Sequence, residues 1–296
     1  MTAAETVLVT GATGKVGERL VPRLLAWRAP GDGIRVLVRT TEAAERFEAI
    51  GARAVVGDLT DAADRKRALD GVTVVVNSAA TFRGADTSAQ DMYAVNRDAA
   101  VALAREGAQV GVRRFVQIST NLVYGPGIGR PAREEDELRA SPNAAYSAYP
   151  HSKREAEAQL QALSAESGLD VVALRLAFVY GDGDPHIVDT LPRFAARAAH
   201  SLLPMVHHAD VSQAVRAAIH SEHPAGYRAY NVAGDGASTV FELFELVGRS
   251  LDLAAAGRNE ADDPWFGVTD TTRAHRELGY RPIHPTARAA WRDGAL

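Results

Sequence analysis

Tyr149 and Lys153, in the run Tyr149-Pro150-His151-Ser152-Lys153, have the types and spacing for proton transfer. Proline disfavours helical backbone in the residue before it and suits the first position of a helix, so Tyr149 belongs at a helix entrance. Lys153 then lies one turn along on roughly the same face. A free phenol, with a pKa of about 10, is a poor acid or base at neutral pH, and a neighbouring ammonium favours its ionised form. By itself the pair is weak, because helices often carry tyrosine and lysine at this spacing on an ordinary surface.

Thr10-Gly11-Ala12-Thr13-Gly14-Lys15-Val16-Gly17 is the second candidate. Gly11 permits a sharp strand-to-helix turn, Gly14 lets backbone approach a pyrophosphate, and Gly17 lets the helix sit close on a sheet. Exposed amides and the positive end of the helix dipole then favour phosphates. With a strand before it and a helix after it, the loop reads as a dinucleotide site. The end of the second strand, Val36-Leu37-Val38-Arg39-Thr40, carries an arginine where NAD-selective sites place an acid. A guanidinium can hold a 2′-phosphate through two parallel bonds, and Lys15 adds a second cation, so the sequence favours NADP over NAD. The plainer alternative is a solvated Arg39.

Such residues need a scaffold to aim them, and the chain alternates short β-branched runs with longer helical patterns. Strands are predicted at Thr6–Thr10, Ile34–Val38, Ala54–Val56, Thr73–Val76, Arg114–Ile118 and Val171–Leu176. A first helix should run to Trp27, a second span Asp91–Ala108, and a third run from Tyr149 to Ser167. Apolar strands without period-2 alternation, separated by helices, signal a parallel sheet covered on both faces. The expectation is an α/β, Rossmann-type doubly wound sheet over residues 1–180, and a small mixed substrate-binding region over 181–296, interleaved with the sheet. That region should hold a loop at Gly181–Pro185, helices at Leu191–Ala199, Val211–Ser221 and Val240–Leu251, and a strand at Tyr230–Val232. Pro22 falls inside the first helix, where it should remove a hydrogen bond and kink the chain.

Composition narrows the function. The 296 residues are 46% hydrophobic, enough for a sizeable core, and a formal charge of −4 gives no basic face for nucleic acid. No apolar run reaches the roughly 18 residues of a membrane span, and the first ten residues lack the pattern of a secretory signal. Cysteine is absent, which excludes disulfides and thiolate chemistry and fits the cytoplasm.

Read in order, the three glycines, Asp58-Leu59, Asn77-Ser78-Ala79-Ala80, Asn96, Ser119-Thr120-Asn121-Leu122-Val123-Tyr124-Gly125 and Tyr149…Lys153 resemble the extended short-chain dehydrogenases/reductases. The match continues through Leu174–Gly181, His208-Ala209-Asp210-Val211, Asn231-Val232 and Leu278-Gly279-Tyr280-Arg281-Pro282. It covers nearly the whole chain. The resemblance implies that Tyr149 donates or accepts the proton, that Lys153 holds the nicotinamide ribose and lowers the tyrosine pKa, and that the Thr120 hydroxyl binds the substrate oxygen. It places Asn96 beside the active site, in catalysis or in architecture. Asp58 would bond the adenine amino group with Leu59 against the ring, while Thr13, Lys15 and Val16 border the phosphates. Ala79, Ala80, Ala177, Phe178 and Val179 would flank the cofactor, mostly through backbone. A homodimer is implied as well.

Within that family, dehydratases place an acid pair directly after the catalytic threonine; here Asn121 and Leu122 stand there and cannot act as general acids, which disfavours dehydration. The segment between Gly181 and Asp210 is short and lacks the glycine-rich run and arginine-aspartate pair of nucleotide-sugar enzymes. Arg193 and Arg197, four apart, could touch a phosphate, though a solvated face is plainer. Ala148–Glu157 looks closest to the 3β-hydroxysteroid dehydrogenase branch. The expectation is therefore a ketone reductase or alcohol dehydrogenase, with nucleotide-sugar epimerisation second and a non-catalytic NADP sensor third. A metal site is not expected: His207, His208 and Asp210 cluster, but Asp210 reads as a helix cap, and His220 and His223 sit at a helix end. Glu134-Glu135-Asp136-Glu137 reads as a solvated loop or the edge of a substrate mouth. Trp265 and Phe266 read as core or substrate lining.

Overall fold

The computed structural model describes residues 4–82, 87–139, 148–223, 225–254, 263 and 265–296. Strands run at Thr6–Thr10 (β1), Gly33–Val38 (β2), Arg53–Val56 (β3), Val74–Asn77 (β4), Arg114–Thr120 (β5), Asp170–Leu176 (β6), Phe178–Tyr180 (β7), Leu202–Leu203 (β8), Met205–His207 (β9), Tyr227–Val232 (β10) and Ser238–Thr239 (β11). Helices span Lys15–Trp27 (α1), Thr41–Glu48 (α2), Ala62–Leu69 (α3), Ala89–Tyr93 (α4), Ala100–Gln109 (α5), Ala148–Ser167 (α6), His186–Phe194 (α7), His208–His220 (α8), Val240–Leu246 (α9), Thr272–Glu277 (α10) and Ala287–Arg292 (α11). A π-helical turn, Ala94–Ala99, joins α4 to α5, and a 3₁₀ turn, Asn121–Tyr124, follows β5.

Two compact units divide these residues. One comprises Met1–Ser119, Asn143–Leu174 and Val215–Ala229; the other comprises Thr120–Pro142, Arg175–Ala214 and Tyr230–Leu296. The chain passes between these two units repeatedly.

The first unit is built on a seven-stranded parallel sheet of order β10-β6-β5-β4-β1-β2-β3. Val74, Val75 and Val76 are each fully buried, the signature of a strand covered on both faces. The strand order reverses between β1 and β4, which pair in parallel from Val7↔Val74 to Thr10↔Asn77. Side-chain amides tie the strand ends there: Thr10 Oγ1 donates to Asn77 Oδ1, and Asn77 Nδ2 donates to Gln117 Oε1 at 2.8 Å. At the opposite end of β5, the Arg114 guanidinium bonds Asp170 and the carbonyls of Ala218, Ile219 and Ser221, satisfying the open end of α8. α1 runs through Pro22, which lies on its exposed side. Pro22 leaves the Glu18 carbonyl without its helical partner at an exposed position, where the lost bond is cheaper than in a buried turn.

The second unit carries the pairs β7–β9, parallel, and β8–β11, antiparallel. Tyr180, Ile187, Leu191, Leu203, Met205, Val240 and Leu243 form its core. Two of the predicted helices differ: α7 lies at His186–Phe194, not Leu191–Ala199, and α9 starts at Val240 as expected but ends at Leu246, not Leu251. Asp210 is no cap. It sits fully buried inside the first turn of α8 and accepts from the Ile283 and His284 amides, while burial pushes its carboxyl up. The acidic run is not uniformly solvated either, since the Glu134 carboxylate is buried, accepts from the Asn231 amide and faces Arg273. Among the described residues, no group of three histidine or acidic side chains is placed to hold a metal, and no helix is long and apolar enough to cross a membrane.

Candidate functional site

The glycine loop leaves β1 and opens α1 as the sequence suggests. Gly11 has φ +65°, and a Cβ there would lie 2.5 Å from the Ala79 amide nitrogen. A Cβ on Gly17 would lie 2.2 Å from the Gly11 carbonyl oxygen. These two glycines are therefore packing requirements: one lets β1 turn beside the end of β4, the other seats α1 on its own loop. Gly14 differs. Its Cβ would meet only the Gly11 carbonyl, at 3.3 Å, and it forms the N-cap of α1 with no side chain capping the first turn. Thr13, Gly14 and Lys15 are exposed at the start of α1, where no side chain of the N-cap residue caps the first turn, an arrangement that fits a dinucleotide pyrophosphate.

Beyond β2 and β3 stand Arg39 and Asp58, both exposed. The Asp58 carboxylate accepts from the Thr60 hydroxyl and amide, each at 2.7 Å, and these bonds, with Arg39 as a weaker contribution, hold it below the usual carboxylate range. The Leu59 side chain belongs to the hydrophobic core with Leu69 and Val72, so it packs inward. Ala79 is half-buried and Ala80 exposed after β4.

Asn96, fully buried in the π-helical turn, uses its whole amide. Its Oδ1 accepts from the Thr81 amide at 2.8 Å, and its Nδ2 donates to the Thr81 carbonyl at 2.9 Å and to Ser152 Oγ at 3.1 Å. It therefore pins the loop after β4 to α6. Ser152 Oγ in turn donates to the Tyr149 carbonyl at 2.8 Å.

Tyr149 lies in the first turn of α6, half-buried, with the edge of the Phe82 ring against it at 4.6 Å. Burial pushes its phenol up to about 12. The spacing suggests a lowering by the lysine ammonium, whereas the shift here comes from desolvation. Lys153 is 2% exposed, and its Nζ donates to the Ile118 carbonyl at 3.0 Å. Burial brings its ammonium down to about 8, against an opposing pull from Glu157. A lysine whose folded pKa lies below its unfolded value of 10.5 destabilises the fold below pH 8, and this cost disappears as pH rises from about 8 to 10.5. Lys153→Met is accordingly expected to be more stable than wild type at pH 7 by on the order of 1–3 kcal/mol, after allowing for the lost bond to Ile118. Urea midpoints measured across pH check this: the advantage should vanish by about pH 10.5, and a variant less stable at pH 7 would contradict it.

Two residues of this cluster escaped the sequence reading, Glu157 and Tyr227. The Glu157 carboxylate, 1% exposed, accepts from the Ser119 hydroxyl and from Tyr227 Oη at 2.8 Å. Its spacing of four from Lys153 was a usable signal, whereas nothing in the sequence singles out Tyr227.

In the second unit, Thr120 is 7% exposed and its Oγ1 accepts from the Leu122 amide at 3.3 Å. Asn121 Nδ2 donates to the Gly267 carbonyl at 2.7 Å, so the position where dehydratases keep an acid holds a loop in place. The Ala177 amide donates to the Val232 carbonyl and the Phe178 amide to the Pro204 carbonyl, while the Phe178 ring stacks on His186 with centroids 4.2 Å apart. Val179 is half-buried, and its carbonyl meets His186 Nδ1 at 3.1 Å. The Arg197 guanidinium lies over the Phe266 ring at 5.6 Å, and Arg193 is exposed.

The profile of the NAD dependent epimerase/dehydratase family matches residues 7–233. A 4-hydroxy-2-methyl-3-oxo-4-farnesyl-3,4-dihydroquinoline-1-oxide ketoreductase of Stigmatella aurantiaca is 30% identical over 62% of this chain and 54% of its own length. A UDP-glucose 4-epimerase of Vibrio cholerae is 35% identical over 60% of this chain and 53% of its own. The chain thus spans about half the length of these two relatives. Among solved structures, the dTDP-glucose 4,6-dehydratase of Streptomyces venezuelae with NAD bound superposes with a TM-score of 0.78 at 26% identity, covering 97% of this chain and 95% of that one.

Proposed function

Since the chain belongs to the NAD dependent epimerase/dehydratase family, we propose that it is an extended short-chain dehydrogenase/reductase exchanging hydride with a ketone or secondary alcohol of a small molecule. The observation that carries this reading is Lys153, a buried ammonium one turn from a half-buried tyrosine, kept at a net cost to the fold. Perturbed groups of this kind concentrate where chemistry is done. The glycine loop would hold a nicotinamide dinucleotide, which when bound would supply or accept the hydride. Tyr149 Oη gives a proton to the carbonyl oxygen in reduction and takes one from the alcohol in oxidation. Its raised pKa keeps the phenol loaded at neutral pH, and the Lys153 ammonium offsets the phenolate left after transfer. Thr120 supplies a hydroxyl to the substrate oxygen.

NADP is the preferred cofactor and NAD the alternative, because Arg39 stands exposed at the end of β2 with no acid in its place. Asp58, held ionised by Thr60, takes the adenine amino group. The Ala148–Glu157 stretch, close to the 3β-hydroxysteroid dehydrogenase branch, favours a released ketone or alcohol, and the ketoreductase relative points the same way. The protein works as a homodimer. Nucleotide-sugar epimerisation is the second reading, favoured by the epimerase relative.

Tryptophan fluorescence titration with NADPH, NADH and UDP-sugars separates these. NADPH should bind most tightly, and Arg39→Ala should weaken it about tenfold or more while leaving NADH within about twofold, since a charge-assisted bond contributes roughly 1.5–3 kcal/mol. A preference for NADH with a saturable UDP-glucose response would move epimerisation to first place.

A further inference from the structure

Glu157 is a buried carboxylate for which the proton-transfer scheme has no use. It lies four residues after Lys153, one turn along α6 on the same face, and both side chains reach the same end of β5. Lys153 Nζ donates to the carbonyl of Ile118, and the hydroxyl of the next residue, Ser119, donates to Glu157. Tyr227 Oη, at the start of β10, supplies the second donor. A carboxylate removed from water needs such donors and a cation to stay ionised.

We propose that Glu157 is a positioning residue that keeps the buried Lys153 side chain protonated and directed at the end of β5. For catalysis the inference rests on the reading of Tyr149 and Lys153 as the proton-transfer pair; the coupling of Glu157 to Lys153 does not. The remaining charges on elements packed against α6 are engaged elsewhere. Arg97 pairs with Glu155 and Asp98, Asp91 closes the cap of α4 with Ser88, Arg65 pairs with Glu106, and Arg105 is exposed. Tyr149 and Tyr227 are the other titratable groups beside the pair, and His151 and Arg154 are half-buried on α6 itself. Of the described charges, Glu157 is the one that acts on Lys153, opposing the burial that brings the ammonium down to about 8.

The test compares the stability of wild type and Lys153→Met from pH 6 to 10.5 by urea unfolding, then repeats the comparison in the Glu157→Gln background. Glutamine keeps the volume and an acceptor for Ser119 and Tyr227 while removing the charge. The pH at which the gap between the proteins with and without the lysine begins to close should fall by a unit or more in that background, a tenfold or greater loss of proton affinity. A gap that closes at the same pH in both backgrounds overturns the proposal. Should Glu157→Gln alone be too unstable to measure, Lys153→Met/Glu157→Gln should fold and exceed it, because removing both buried charges costs less than removing one. A double variant no more stable than the single one also overturns the proposal. The pH profile of turnover reports on the other half. If the stability window moves and the high-pH limb of turnover moves with it, both readings hold; if the window moves and the limb stays, the coupling stands and the catalytic role of Lys153 falls.

Discussion

Tyr149→Phe should lower turnover about 10²–10⁴-fold, the contribution of a positioned general acid, while nicotinamide cofactor affinity stays within about threefold. The contrast follows from where the hydroxyl sits. The ring contributes an edge contact with Phe82, and phenylalanine keeps it. Ser152 bonds the Tyr149 carbonyl and not its side chain, so the helix entrance is also kept. What disappears is a proton that burial holds on the phenol up to about pH 12. Stopped-flow hydride transfer with a ketone that the wild type reduces gives the rate, and fluorescence titration gives the affinity. Full activity in the variant would remove Tyr149 from the mechanism; equal losses of rate and affinity would recast it as a binding residue.

The second large effect is predicted at Gly17. A methyl group there would approach the Gly11 carbonyl oxygen to 2.2 Å and the Ala12 Cα to 2.6 Å, both backbone atoms that cannot rotate away. Gly17→Ala should therefore destabilise the protein by about 2–3 kcal/mol, at the upper end of overpacking costs, and weaken dinucleotide binding at least tenfold as α1 lifts from its loop. Gly14→Ala is the control. Its single neighbour at 3.3 Å and its ordinary φ predict a stability change within about 1 kcal/mol. Calorimetry and cofactor titration on both variants check the pair. If Gly14→Ala unfolds more readily than Gly17→Ala, the assignment of packing and approach roles within the loop is reversed.

The backbone elements that carry the candidate site could be read from the sequence because backbone rules govern them. Gly11, Gly14 and Gly17 announce a turn that few other residues can make, and Pro150 marks the first turn of α6, in which Tyr149 stands. The sheet was readable for the same reason: uninterrupted valine runs such as Val74–Val76 have one stable environment. Sequence reasoning failed where a side chain's partner comes from far along the chain. Asp210 resembles a cap by position, yet its acceptors are claimed by amides seventy-odd residues later, at Ile283 and His284. Glu134 sits in an acidic run that composition marks as solvated, but the Asn231 amide draws it inside. The direction of the Tyr149 shift was missed because spacing reveals a neighbouring charge and says nothing of how much water the fold removes.

The strand order also sets a timetable for synthesis. β6 is flanked in the sheet by β5 and β10, and all seven of its residues are buried. A ribosome finishes β6 about fifty residues before it begins β10, which at roughly 5–20 residues per second leaves several seconds with an apolar strand edge unpaired. During that interval the nascent chain offers a template on which a neighbouring polypeptide could add a strand. Chaperone demand should therefore peak while residues 177–226 are being translated.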